Sequence, residues 1–230
     1  MNLVLTPAAP ATVPVLGGGD FPVRRIYCVG RNYAEHAQEM GFTGREPPFF
    51  FLKPADAVLP VADGQTGQMA YPPLTSNLHH EVELVVAIGV GGRDIAVADA
   101  AGHIWGYAIG LDMTRRDLQN DMKKQGRPWC IGKAFDESAP IGPIHPIAST
   151  GELTRGAIDI TVNGVLRQRG DLGDLIWSVA ETLSTLSQAW APQPGDLLFT
   201  GTPAGVAAVL PGDLMEARIA GLGSLRVQVK

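Results

Sequence analysis

Cysteine is scarce in this 230-residue chain: there are two, Cys28 and Cys130, far apart and each in apolar company. That excludes a disulfide framework and reads as two buried thiols. Long apolar runs are missing as well, and none approaches the ~18 residues of a membrane span. Residues 1–20 hold no Lys or Arg and are interrupted by Pro7, Pro10 and Pro14, unlike a secretory signal. A basic surplus is also absent, with 18 Lys and Arg against 23 Asp and Glu and a net charge of −5. A nucleic-acid partner is therefore excluded, because a polyanion needs a basic surface. What is abundant is apolar residues (45%), Gly (28) and Pro (18). That mixture predicts a packed core, many turns and a β-rich chain with few long helices. The cytoplasm is the expected location.

Residues 1–20 read as an extended arm closed by Gly17-Gly18-Gly19-Asp20, and 21–230 as a single domain without repeats or linker. Phe21 to Gly30 and the run FFFLK at 49–53 read as strands, the second stopped by Pro54, with a helix-like segment at 32–40 between them. EVELVVAIGV at 81–90 is the clearest strand, apolar on both faces after Glu83 and hence buried. Residues 104–112 form another. Asp174 to Ala191 is the clearest helix, with Leu175, Ile176, Val179, Leu183, Leu186 and Trp190 in one stripe. PGD turns at Pro194 and Pro211 punctuate the C-terminal part.

The strongest chemical signal is His79-His80-Glu81-Val82-Glu83. Residues two apart on a strand share a face, so His79, Glu81 and Glu83 point the same way. A Glu-x-Glu pair is ordinarily a solvated face, but the LVVAIG that follows argues for burial. Two buried carboxylates need a proton, a basic side chain or a cation. A hard divalent metal suits oxygen ligands best. Asp112 ends the strand IWGYAIGLD, whose Gly106, Ala108 and Gly110 share its face and leave room above it for a ligand. His79 reads more simply as a neighbour that orients the ligands than as a ligand itself.

His36 and Glu39 are three apart on a helix-like segment, so the carboxylate can orient the imidazole as a general base. An exposed helical pair is the plainer alternative. Lys133 stands in the apolar run CIGKAF, either snorkelling or held for its charge. Thr114 with Asp117 resembles a capping box opening a helix that carries Arg116 and Gln119 on one face.

Six blocks occur in order: CVGRNYAEHAQEMG, FFFLKPADAV, NLHHEVELVVAIG, GYAIGLDMTRRDLQ, GRPWCIGKAFD and LLFTGTPAGV. Together, across roughly 21–230, they resemble the fumarylacetoacetate hydrolase family, nearest to its short bacterial fumarylpyruvate hydrolase and acylpyruvase branch. The resemblance implies a β-rich α+β fold, a mixed β-sandwich roll of the family's C-terminal domain type with a few helices, as a homodimer. It implies Glu81, Glu83 and Asp112 as ligands of Mg²⁺ or Mn²⁺ (Ca²⁺ in crystals), and His36 with Glu39 as the water-activating dyad. It implies Lys133, Arg116 and Gln119 at the substrate and Thr202, in the TGTP turn, near its carboxylate.

The implied reaction is hydrolysis of the C–C bond of an acylpyruvate, a 2,4-dioxo acid: 3-fumarylpyruvate to fumarate and pyruvate in gentisate degradation. The distal carboxylate of that substrate needs a cation, for which Arg31, Arg45 and Arg127 are candidates. Within the family, oxaloacetate decarboxylation and isomerisation of 2-hydroxy-diene-dioates are the alternatives. Outside it stands a non-catalytic protein that uses the same acids to staple strands around a cation.

Overall fold

A computed structural model describes residues 3–34 and 45–230. An eight-stranded mixed sheet forms its centre. Its middle strands are β1 (Arg25–Val29), β2 (Phe50–Lys53), β3 (Val82–Ile88), β4 (Ile104–Leu111) and β5 (Asp196–Phe199). They lie in the order β2-β1-β5-β3-β4, with Ala139–Ile141 and Val58–Pro60 continuing beyond β4. β1 and β5 are parallel, whereas β5–β3 and β3–β4 are antiparallel. β3 is buried throughout, which explains why it lacks the alternation of a half-exposed strand.

A five-stranded sheet packs on one face, in the order Val165–Asp171, Ala157–Val162, Leu214–Ile219, Gly223–Val229, Thr66–Met69. Leu84, Val86, Ile109 and Leu111 meet Ile160, Met215, Ala217 and Val227 in the main core between the sheets. Burying each of the Leu, Ile, Val and Met side chains among them contributes about 1.5–3 kcal/mol. A smaller core lies on the opposite face: Ile26, Cys28, Val85, Ala108, Leu197 and Phe199. It is closed by Val13 and Phe21 from the hairpin that pairs Thr12–Pro14 with Asp20–Pro22. This β-rich two-sheet roll with a few helices is the expected fold.

Several local expectations change. The helix α3 spans Val179–Ala189 rather than starting at Asp174. Tyr33 bridges Leu175, and Asn32 takes the backbone N–H groups of Ile176 and Trp177, so that segment bonds outward instead of coiling. Ser178 and Glu181 then form a reciprocal cap that starts α3. Thr114 does not cap α1 (Arg116–Lys124), because it lies in a short strand paired with His79. Its supposed partner Asp117 instead accepts from Thr75 and Ser76. The glycines of β4 leave no room for a ligand. A Cβ at Gly110 would come within 2.5 Å of Val85 and 2.7 Å of Phe199, and one at Gly106 within 2.3 Å of the His145 carbonyl. Small residues there let neighbours close onto the sheet. Cys28 is buried as expected, but Cys130 is exposed at the start of α2 (Cys130–Lys133).

Candidate active site

The β3–β4 ladder ends at the pair Val82–Leu111. Glu81 therefore precedes β3, Asp112 follows β4, and the Asp112 N–H donates to the Glu81 carbonyl at 2.9 Å. Glu83 is within the ladder, opposite Gly110. All three carboxylates are buried and offer oxygens within 4.8 Å of one another. Their convergence follows from strand geometry: one acid projects from the ladder and two from where its strands part.

Three cations reach this cluster. Lys133, at the end of α2, donates to Glu81 Oε2 at 2.8 Å and to Asp112 Oδ2 at 2.7 Å. Arg116, at the start of α1, donates to Glu81 Oε1 and, at 2.5 Å, to Gln119 Oε1. Gly132 lets the two helices meet, since a Cβ there would be 2.8 Å from the Gln119 nitrogen. Lys53, wholly buried at the end of β2, places Nζ 2.8 Å from Asp112 Oδ1. That contact is an ion pair without hydrogen-bond alignment, so Oδ1 has no hydrogen bond among the described residues.

Glu83 has no ion pair among the described residues; its Oε2 accepts the Gly201 N–H at 2.7 Å. Burial, then the neighbouring Asp112 and Glu81, hold its carboxyl well above the usual carboxylate range. Two like charges within 4.8 Å of each other repel by at least about 3 kcal/mol at an effective dielectric of about 20. Burial pulls the Lys133 ammonium down, but Asp112 and Glu81 together outweigh it and leave its pKa raised. The cations thus pair directly with Glu81 and Asp112, and Glu83 has one backbone N–H and no ion pair among the described residues. An oxygen-only set in which one carboxylate has no ion pair among the described residues fits a hard divalent cation.

The remaining sequence-derived residues divide. Gln119 is buried beside Arg116, within the cluster. Thr202 is adjacent to Gly201, but its hydroxyl donates to the Val82 carbonyl at 2.8 Å and accepts from Gln168 at 2.8 Å. It shapes the turn under Glu83. His79 is not on a continuous strand with Glu81: it pairs with Thr114, and its ring nitrogens meet Asn77 Oδ1 and Arg116 Nε. Burial, then Arg116, lowers its pKa to about 4, which makes it a neutral acceptor that orients Arg116. Arg31 lies against Glu46 and the Phe49 ring, and Arg45 is held by Glu181 and Trp177, so the structure does not bring either into the acidic cluster. Arg127 is exposed just after α1. His36 and Glu39 lie outside the described residues.

Sequence reasoning missed Lys53 and Gln168. Lys53 had a signal, a charge ending the apolar run FFFL, which is the pattern that marked Lys133. Gln168 had none: it is one polar residue in a polar strand, yet it is buried and joins His80, Val82, Thr202 and Pro203. Beside that turn a cavity of about 430 Å³ is lined by Tyr33, Arg169, Gly170, Asp174 and Pro203.

The comparisons agree with this architecture. The family model for the fumarylacetoacetate hydrolase C-terminal domain matches residues 25–230. The crystal structure of fumarylpyruvate hydrolase from Pseudomonas aeruginosa, in complex with Mn²⁺ and pyruvate, superposes with a TM-score of 0.97 at 59% identity, covering 99% of both chains. A mitochondrial oxaloacetate tautomerase of Rattus norvegicus is 40% identical over 207 residues, which is 90% of this chain and 92% of that protein. A mitochondrial oxaloacetate decarboxylase of Dictyostelium discoideum is 39% identical over 199 residues, 86% of this chain and 90% of its own length. From the converging acids, the two-sheet roll and these matches, the chain belongs to the fumarylacetoacetate hydrolase family.

Proposed function

We propose that this chain hydrolyses the C3–C4 bond of an acylpyruvate, 3-fumarylpyruvate to fumarate and pyruvate, with Mg²⁺ or Mn²⁺ held by Glu81, Glu83 and Asp112. The observation that carries this reading is the buried carboxylate triad, in which Glu83 has no ion pair among the described residues. The similarity to the Pseudomonas enzyme supports the choice of substrate. When bound, the cation supplies Lewis-acid stabilisation of the departing enolate.

The chain's own residues do the rest. His36, oriented by Glu39, takes a proton from water, and the hydroxide adds to C4. Arg116 holds the Gln119 carbonyl, which leaves the Gln119 amide N–H groups to donate to the oxyanion forming at C4. Lys133, an ammonium fixed between Glu81 and Asp112, adds positive charge on the same side. The C3–C4 bond then breaks with its electron pair going to C3. Protonation there gives pyruvate, and the acyl fragment leaves as a carboxylic acid. Arg31, outside the acidic cluster, is the proposed cation for the distal carboxylate, and Thr202 serves the substrate end through the turn that it braces rather than through a free hydroxyl.

Residues 21–230 serve as the catalytic domain of a cytoplasmic homodimer in gentisate degradation. Among the described residues no helix is long and apolar enough to cross a membrane.

Oxaloacetate chemistry is the second reading, supported by the tautomerase and the decarboxylase that are 40% and 39% identical to this chain. It needs the same enolate stabilisation but no water nucleophile. Product analysis separates the two with fumarylpyruvate, acetylpyruvate and oxaloacetate supplied with Mg²⁺ or Mn²⁺. Fumarate and pyruvate from the first substrate, abolished in His36→Ala, is the expected outcome. Turnover of oxaloacetate alone overturns it, and no turnover with a closed, non-exchanging ion returns the structural alternative.

A further inference from the structure

Lys53 has no part in the reaction as described, yet its side chain is completely buried. Burying an ammonium costs several kcal/mol unless charge and hydrogen bonds compensate, so its partners indicate its use. They are three oxygens from two separate segments. Nζ lies 2.8 Å from Asp112 Oδ1, donates to the Met113 carbonyl at 3.2 Å, and donates to the Lys133 carbonyl. The Phe135 ring lies 5.6 Å from it. Met113 follows Asp112, and Lys133 ends α2, so one ammonium ties the end of β4 to the end of α2. A compact ammonium donates to the two carbonyls while setting its charge beside Asp112 Oδ1, a fit that a planar guanidinium fork cannot match in the same space.

We propose that Lys53 is a positioning residue: it fixes the Asp112 carboxylate toward Glu81 and Glu83 and anchors the main chain from which Lys133 reaches between Glu81 and Asp112. This rests on the proposed hydrolysis for its purpose but not for its test. A role as mere counter-charge predicts the opposite result. Removing a nearby positive charge would then strengthen the binding of a dication, whereas losing the clamp weakens it.

The test titrates Mn²⁺ into metal-free parent, Lys53→Met and Lys53→Gln chains by electron paramagnetic resonance, with circular dichroism confirming the fold. Lys53→Gln retains an N–H donor for the carbonyls and decides the matter if Lys53→Met does not fold. The expected result is Mn²⁺ binding weakened about 10–100-fold, the range for residues that orient metal ligands, with kcat falling more than KM rises when Mn²⁺ is saturating. A folded variant that binds Mn²⁺ as tightly as the parent, or more tightly, overturns the proposal. Because Mn²⁺ binding is read without substrate, failure to turn over fumarylpyruvate counts against the hydrolase reading alone.

Discussion

At Glu83 a carboxylate is wholly buried, receives one backbone N–H and faces two more carboxylates. Its carboxyl is held well above the usual range, chiefly by burial. The metal-free native chain therefore retains a proton there that the unfolded chain releases near its ordinary pKa of 4.5. That contribution to stability is present below the unfolded pKa and is lost as pH rises through the folded one. Glu83→Gln is neutral at every pH. Without metal it should melt higher than the parent at neutral pH, by about 1–3 kcal/mol of relieved burial, and it should bind Mn²⁺ far more weakly. A variant that melts lower and still binds Mn²⁺ normally contradicts this. His79 has the opposite sign. Its pKa is lowered to about 4 from 6.5, first by burial and then by Arg116. Its contribution is present above the unfolded pKa and lost as pH falls through the folded one. Thermal melts of His79→Gln between pH 7 and pH 4 should show a shallower acid loss than the parent; identical slopes would show that His79 does not titrate there.

Among the elements, the decisive contact is between α1 and α2. It brings Arg116 and Gln119 beside Lys133, and Gly132 makes the approach possible. Gly132→Ala places a Cβ 2.8–2.9 Å from Gln119 main-chain atoms, which cannot move as a flexible side-chain tip would. Overpacking of this kind costs about 1–3 kcal/mol. The expected outcome is a lowered melting temperature together with a reduced kcat, because Lys133 and Gln119 are displaced together. A variant with parental melting and turnover would show that the helices separate freely. Element boundaries also show what periodicity misses: Leu175 and Ile176 fit the helical stripe, but backbone bonds to Asn32 take that segment out of α3.

Across the whole molecule, the acids were legible because the chemistry is unusual. Glu81 and Glu83 flank Val82 ahead of an apolar run, and Asp112 ends the next strong strand, so the burial of the acids was predictable. The sandwich roll followed from the ordered blocks of family resemblance. The compensating cations were less legible, because Lys53, Lys133 and Arg116 meet the acids only through long-range packing. The glycines of β4 misled for a related reason: a missing side chain in sequence means either open space or a close neighbour, and only the Val85 and Phe199 contacts decide. The central claim is that a divalent ion held by the three carboxylates is required for cleavage of an acylpyruvate. The most direct measurement is fumarylpyruvate turnover after exhaustive chelation and again after Mn²⁺ is restored. No fumarate is expected in the first assay and full recovery in the second, whereas an undiminished rate in the chelated enzyme would show that cleavage needs no ion.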